Sequence, residues 1–108
     1  MKVVLSNTIY EQYLFLILKA VVYASAGDGF GVVICKNPHV LGKRFLEWID
    51  PPFYGYQLDK HEDYVLVHDG SNESFLFSSN QRHLEARFAD IVITLEGPVV
   101  GFNDQEID

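Results

Sequence analysis

One helix constrains this chain more than any other segment. Thr8 followed three residues later by Glu11 has the form of a capping box, so a helix is expected from Ile9 to about Ser25, stopped by Gly27. Stepping about 100° per residue places Gln12 and Lys19 on one narrow stripe, roughly 20° apart. Nearly everything else around the wheel is apolar: Tyr10, Tyr13, Leu14, Leu16, Ile17, Val21 and Ala24, with Phe15 and Val22 near the far edge. A surface helix hides one stripe, whereas this one has to hide most of its circumference. It is therefore central in the fold or shared with a second molecule, as in a homodimer through the helix from Ile9 to Ser25. On this wheel Leu14 and Ile17 belong to the core, and Phe15 lies near the polar stripe. A membrane span needs about 20 mostly apolar residues. Here the longest uninterrupted apolar run is six residues, 13–18, and Glu11, Gln12 and Lys19 interrupt the rest. The reading is a buried helix with no membrane partner.

Around that helix the chain alternates. Val3-Val4-Leu5 opens as a strand, and Val32-Val33-Ile34-Cys35 forms a second. Asn37-Pro38 combines an N-cap with a proline at the first helical position. The helix that follows, to about Ile49, sets Leu41, Phe45 and Trp48 on one face and ends at Pro51-Pro52. Tyr64–His68 and Ser74–Ser78 flank Asp69-Gly70-Ser71-Asn72-Glu73 as a hairpin. Ser79-Asn80 caps a third helix over 81–89 with Leu84 and Phe88 on one face, Ile91–Leu95 is a buried strand, and Val99-Val100 begins an edge strand. The fold class expected is α+β or mixed α/β: a single small domain with a central sheet of about five strands and three helices. The domain covers residues 1–102, and 103–108 form a polar C-terminal tail.

Charge is divided unevenly. Residues 1–54 carry five basic and four acidic side chains, and residues 55–108 carry three basic and eleven acidic, a net of −8 within a total of −7. Such a surface repels phosphate and attracts basic proteins. The only adjacent basic pair is Lys43-Arg44, so direct nucleic-acid binding is not expected. The lone Cys35 excludes an internal disulfide and suits a reducing compartment. Met1 runs directly into Lys2-Val3-Val4-Leu5 without a signal-peptide pattern. The expected location is the cytoplasm.

Motifs for catalysis are thin. Gly27-Asp28-Gly29-Phe30-Gly31 follows a helix and precedes a strand, the reverse of a phosphate loop. Asp50-Pro51-Pro52-Phe53 resembles the Asp-Pro-Pro-Tyr/Phe motif of amino-methyltransferases over four residues. That family's strand, glycine loop and helix have no counterpart upstream, and two prolines ending a helix account for the run. His39, His61, His68 and His83 lack a recurring metal-ligand spacing with Cys35. Ser71, Ser74, Ser78 and Ser79 lie near His68 and Asp69 in sequence without a nucleophile elbow. No catalytic residue, metal ligand or cofactor is assigned, and the chain is not read as an enzyme.

The stronger candidate is aromatic and acidic. Trp48, Phe53, Tyr54, Tyr56 and Tyr64 are followed by or interleaved with Asp59, Glu62 and Asp63. Tyrosine and tryptophan anchor interfaces, and surrounding carboxylates steer a basic partner. The binding residues expected are Tyr54, Tyr56, Asp59, Glu62, Asp63 and Asp69. In size, single-domain organisation and acidity the chain resembles the bacterial toxin-immunity proteins, which are small, usually acidic and diverse in fold. That resemblance implies an inhibitor of a basic toxin or nuclease domain, whose substrate phosphates the acidic surface mimics. The alternatives are a homo-oligomeric structural or regulatory domain of phage or mobile-element type, and a small hydrolase or metal-dependent enzyme.

Overall fold

Apolar runs and turn signals assemble into a mixed sheet with both α-helices on one face. The computed structural model describes residues 1–25, 28–50, 55–69 and 73–107. The elements are β1 (Lys2–Leu5), β2 (Ile9–Tyr10), α1 (Glu11–Ala24), β3 (Phe30–Ile34), α2 (Pro38–Ile49), β4 (Gln57–Lys60), β5 (Tyr64–His68), β6 (Ser74–Ser78), a 3-10 helix (Gln81–Glu85), β7 (Ile91–Leu95) and β8 (Val99–Val100). The main sheet has six strands in the order β1-β7-β3-β6-β5-β4, and β2 pairs with β8 in a separate two-stranded sheet. β1, β7, β3 and β6 run parallel, and β5 and β4 add to the edge antiparallel. The molecule is thus a single small α+β domain, with one more strand in its main sheet than expected.

Burial on both faces explains why β3, β6 and β7 read as continuous apolar runs. Val33, Phe75, Phe77, Ile91 and Ile93 face α1 and α2, and Val32, Ile34, Leu76 and Val92 face the opposite side. That second side is covered in part by Leu84, Ala86 and Ala89. The expected third helix is only the single 3-10 helix, because the Asn80 side chain accepts from the Arg82 N–H at 2.9 Å and the turn ends at Ala86. Phe88, expected on one helix face with Leu84, lies beyond the 3-10 helix and is 90 % exposed. The expected hairpin is present, with Tyr64 opposite Ser78 and His68 opposite Ser74; Gly70, Ser71 and Asn72 lie outside the described residues.

The first helix starts two residues later than expected. The Ile9 N–H donates to the Pro98 carbonyl at 3.1 Å, and Ile9 and Tyr10 pair in parallel with Val99 and Val100. The Thr8–Glu11 capping box does not form: Tyr10 is the N-cap and supplies no side-chain cap. Glu11 turns its carboxylate instead toward α2 and the C-terminal segment. Residues 103–107, read from sequence as a polar tail, fold back against the body. The Ile107 N–H donates to the Val99 carbonyl at 2.9 Å, and the Ile107 side chain joins the core.

Packing at α1 also reverses an expectation. Leu14, Phe15, Leu18 and Val22 are buried, whereas Leu16 and Ile17 are exposed. The helix is turned roughly 80° about its axis from the orientation the polar stripe implied. Two contacts explain this. The Phe15 ring packs edge-on to Phe45 at 5.1 Å and against Trp48 at 5.6 Å. Lys19, which marked the supposed solvent side, lays its stem across the helix-helix boundary with Nζ 5.7 Å from the Trp48 ring centre. Gly31 lets α1 sit close to β3, since a Cβ there would lie 2.7 Å from Leu18 Cδ1. Gly42 does the same for α2, where a Cβ would lie 2.2 Å from Val65 Cγ2.

This orientation is directly testable. Truncating a buried phenylalanine costs about 3–5 kcal/mol and burying a charge costs more, so Phe15→Asp is expected to abolish the cooperative melt. Ile17→Asp, on the water-facing side, is expected to shift the melting temperature by only a few degrees. Circular-dichroism melts of the two variants check this. A folded Phe15→Asp beside an unfolded Ile17→Asp contradicts the orientation.

Candidate protein-binding face

With Leu14, Phe15, Leu18 and Val22 turned inward, the remaining side of α1 is Tyr13, Leu16, Ile17, Ala20, Tyr23 and Ala24. These positions recur at three- and four-residue intervals and span an arc of about 120°. Tyr10, Tyr13, Leu16, Ile17 and Tyr23 are each between 42 % and 52 % exposed. No charged side chain interrupts the arc, since Lys19 lies at its border over Tyr23 and Trp48. Contiguous apolar surface of this kind marks interaction sites. No described helix is long and apolar enough to cross a membrane.

The C-terminal end of the arc is acidic. The Tyr23 and Tyr56 hydroxyls are hydrogen-bonded to each other. Tyr56 is held from behind: its N–H and that of Gly55 donate to Asp50 Oδ2 at 2.7 and 2.8 Å, and its ring lies 6.3 Å from that of Phe75. Burial, then the bond to Tyr23, then the charges of Asp69 and Glu73 push the Tyr56 phenol far above its usual range, so it stays neutral. Glu73 is hydrogen-bonded to Asp69, and that bond, burial, and the charges of Asp69 and Asp28 hold its carboxyl above the ordinary value. Asp28, Asp69 and Glu73 therefore form one acidic rim beside Tyr23 and Tyr56. Asp90 braces the same end by accepting from the Phe30 N–H at 2.7 Å and the Ser25 hydroxyl at 2.9 Å.

Of the six residues singled out from sequence, the five that are described do not form one cluster. Tyr54 lies outside the described residues. Tyr56 and Asp69 are at one end of the sheet, because Gln57 pairs with His68. Glu62 and Asp63 are at the other end, about 20 Å away along β5. Asp59 sits on β4 with Oδ2 2.8 Å from His68 Nε2. Asp63 organises its own turn, with its carbonyl accepting from the Ser79 N–H at 3.0 Å and its Oδ2 from Asn80 Nδ2 at 2.9 Å. Glu62 is exposed. Among the described five, Tyr56 and Asp69 adjoin the arc of α1.

A second feature at the opposite end of α1 had no local signal in the sequence. Glu11 and Arg44, thirty-three positions apart, form a bidentate ion pair in which Arg44 Nε donates to Glu11 Oε2 at 2.6 Å and Nη2 donates to Oε1. The Phe102 N–H donates to Glu11 Oε1 at 2.9 Å. Burial alone would raise the Glu11 carboxyl, but the bonds from Arg44 and Phe102 outweigh it and hold the group below its ordinary value. Beside the pair opens a cavity of about 540 Å³, walled by Tyr10, Trp48 and Phe102 with Glu47 and Asp104 at its margin. Lys43, the other half of the basic pair, instead lies near His39, Lys60, Glu47 and Glu106 in a shallow groove of mixed charge.

Among the described residues one serine–histidine pair is close. Ser78 Oγ is 2.6 Å from His83 Nδ1, but Ser78 is fully buried and its hydroxyl also accepts from the Asn80 N–H at 2.9 Å. That arrangement clasps the end of β6 and offers no approach to a substrate. Among the described residues no group of three or more His, Cys, Asp or Glu is placed to hold a metal ion. Of Asp50-Pro51-Pro52-Phe53 only Asp50 is described, and its carboxylate is engaged by Gly55 and Tyr56.

The Glu11 pair sets a pH dependence. A carboxyl whose folded pKa is depressed stabilises the fold above its unfolded pKa, and that stability is lost as pH falls through the folded value. Glu11→Gln is therefore expected to lose about 1–3 kcal/mol at pH 7. The difference from the parent protein should shrink as pH drops below the ordinary 4.5 of a glutamate. Urea melts at pH 7 and in that acid range measure it, and a gap that widens on acidification contradicts the assignment. Comparison of this chain with protein-family models, curated proteins and solved structures finds no match to any of them.

Proposed function

We propose that this protein is a small protein-binding module that docks a basic partner across the outer face of α1 and its acidic end. The observation that carries the reading is the uninterrupted apolar arc of Tyr13, Leu16, Ile17, Ala20 and Tyr23 on a helix already seated by its other side. Fourteen residues of helix give an arc about 20 Å long, a suitable length for the apolar centre of a standard interface. Asp28, with Asp69 and Glu73 from the half-chain of net −8, lies at its end, and these carboxylates favour a cationic partner by steering. A cytoplasmic inhibitor of the toxin-immunity type, covering a basic toxin or nuclease domain, fits this chemistry and is part of the proposal. The binding is read as stoichiometric and non-catalytic.

The same arc also suits a second copy of the chain, which is the homo-oligomer reading. Sedimentation equilibrium separates the two, since a monomer of 12.3 kDa at about 100 μM leaves the face open for another protein.

The partner is sought among basic toxin or nuclease domains, and calorimetry and stopped-flow mixing measure its binding. Leu16→Ser with Ile17→Ser is expected to weaken affinity at least about thirtyfold with little change in melting temperature. Asp69→Asn with Glu73→Gln is expected to slow association and flatten its salt dependence while leaving dissociation nearly unchanged. Unaltered affinity in the first variant removes α1 from the interface.

A further inference from the structure

The cavity at the N-terminal end of α1 is continuous with the arc, since Tyr10 lines it and stacks edge-on to Tyr13 at 6.1 Å. Its charges divide into two sets. Glu11 and Arg44 neutralise each other through two parallel bonds, so neither has much field left to offer a ligand. Glu47 and Asp104 are in no ion pair among the described residues and leave the opening net negative. Asp104 is also the one non-glycine residue among those described with a positive φ, 58°. Aspartate is among the few residues whose short polar side chain accommodates that conformation. Here a hydrogen bond from the Asp104 N–H to the Gly101 carbonyl at 3.0 Å fixes the turn that brings its carboxylate to the cavity.

Aromatic walls with carboxylates at the rim suit a planar cation. Phe102 is 82 % exposed, so its ring face at the cavity is accessible to a ligand. Trp48 already attracts one cation, Lys19. An anion fits poorly: Arg44 has committed Nε and Nη2 to Glu11, and two unpaired carboxylates flank it. A guanidinium can lie flat on Tyr10 or Phe102 while presenting its N–H fork to Glu47 or Asp104, a geometry an ammonium cannot match.

We infer that this cavity receives an arginine side chain of the basic partner, anchoring one end of the interface that the α1 arc begins. The inference rests on the proposed binding of a basic protein and names the anchor that partner must present.

Trp48 is the sole tryptophan of the chain and lines this cavity, so emission comes from one indole at the proposed site. The probe is N-acetyl-arginine amide, titrated at constant ionic strength against the whole protein. N-acetyl-norleucine amide and N-acetyl-glutamate amide serve as controls. The expected result is a saturable change in Trp48 emission at millimolar arginine amide, absent with either control. In Glu47→Gln with Asp104→Asn the apparent affinity should fall about fivefold or more at an unchanged melting temperature. Asparagine tolerates the left-handed backbone at 104, so the variant keeps its turn. No saturable response, or an equal response to norleucine amide, overturns the inference, as does a stronger response to the glutamate amide. The two readings fail separately. A silent Trp48 with partner binding still lost in the Leu16→Ser, Ile17→Ser protein removes the arginine site alone. A responsive Trp48 with partner binding intact in that protein removes the α1 face.

Discussion

Phe45 holds this fold together. Its ring lies 4.6 Å from that of Phe75, 5.3 Å from Phe77, 5.1 Å from Phe15 and 6.0 Å from Trp48, so one side chain joins α2, β6 and α1. Aromatic pairs at these separations add to the burial of their area. One turn earlier in α2, Gly42 removes the Cβ that would strike Val65 and allows the helix to lie low enough on β5 for Phe45 to reach the sheet. With Phe45 in place, the pocket left between the helices fits Phe15. Seating Phe15 fixes the rotation of α1, and that rotation puts Leu16, Ile17 and Tyr23 in water. The exposed arc is a consequence of core packing.

The two ends of α1 are then fixed by unlike means. At the N-terminus a charged tie, Glu11 to Arg44 with Phe102, joins α1 to α2 and to the turn after β8. Such a pair contributes chiefly by specifying arrangement, since desolvation offsets much of its attraction. At the C-terminus the tie is phenolic, Tyr23 to Tyr56, within the reach of Asp69 and Glu73. Both ties border open surface. The apolar arc is therefore held rigidly at each end, which lowers the entropy lost when a partner orders on it.

Local patterns in the sequence were enough for β1, β3, β7 and β8, for α2 with its proline at the first position, and for the β5–β6 hairpin, but not for β2 and β4. They were enough to see that α1 carries more apolar surface than one core face needs. They could not tell which apolar side faces inward. The wheel was oriented by Gln12 and Lys19, but a lysine can lay its stem over a tryptophan and face the boundary rather than the solvent. The capping box at Thr8 was misleading because Glu11 has a stronger partner thirty-three residues away, and no local rule sees that distance. The acidic residues were chosen by proximity along the chain. The antiparallel turn at Glu62 and Asp63 then carried them to the opposite end of the sheet from Tyr56 and Asp69, so only part of the expected site survives as a cluster.

The central claim is that Phe15 holds α1 in the core while Leu16 and Ile17 face water until a partner covers them. Relaxation of methyl protons by a soluble gadolinium chelate reads this residue by residue in the native protein. The account requires strong relaxation at Leu16 and Ile17, weak relaxation at the buried Leu14 and Leu18, and relief confined to the first pair when the basic partner is added. Leu16 and Ile17 as protected as Leu18 in the free monomer would contradict the orientation of α1. Exposure unchanged in the complex would contradict its use as the binding face.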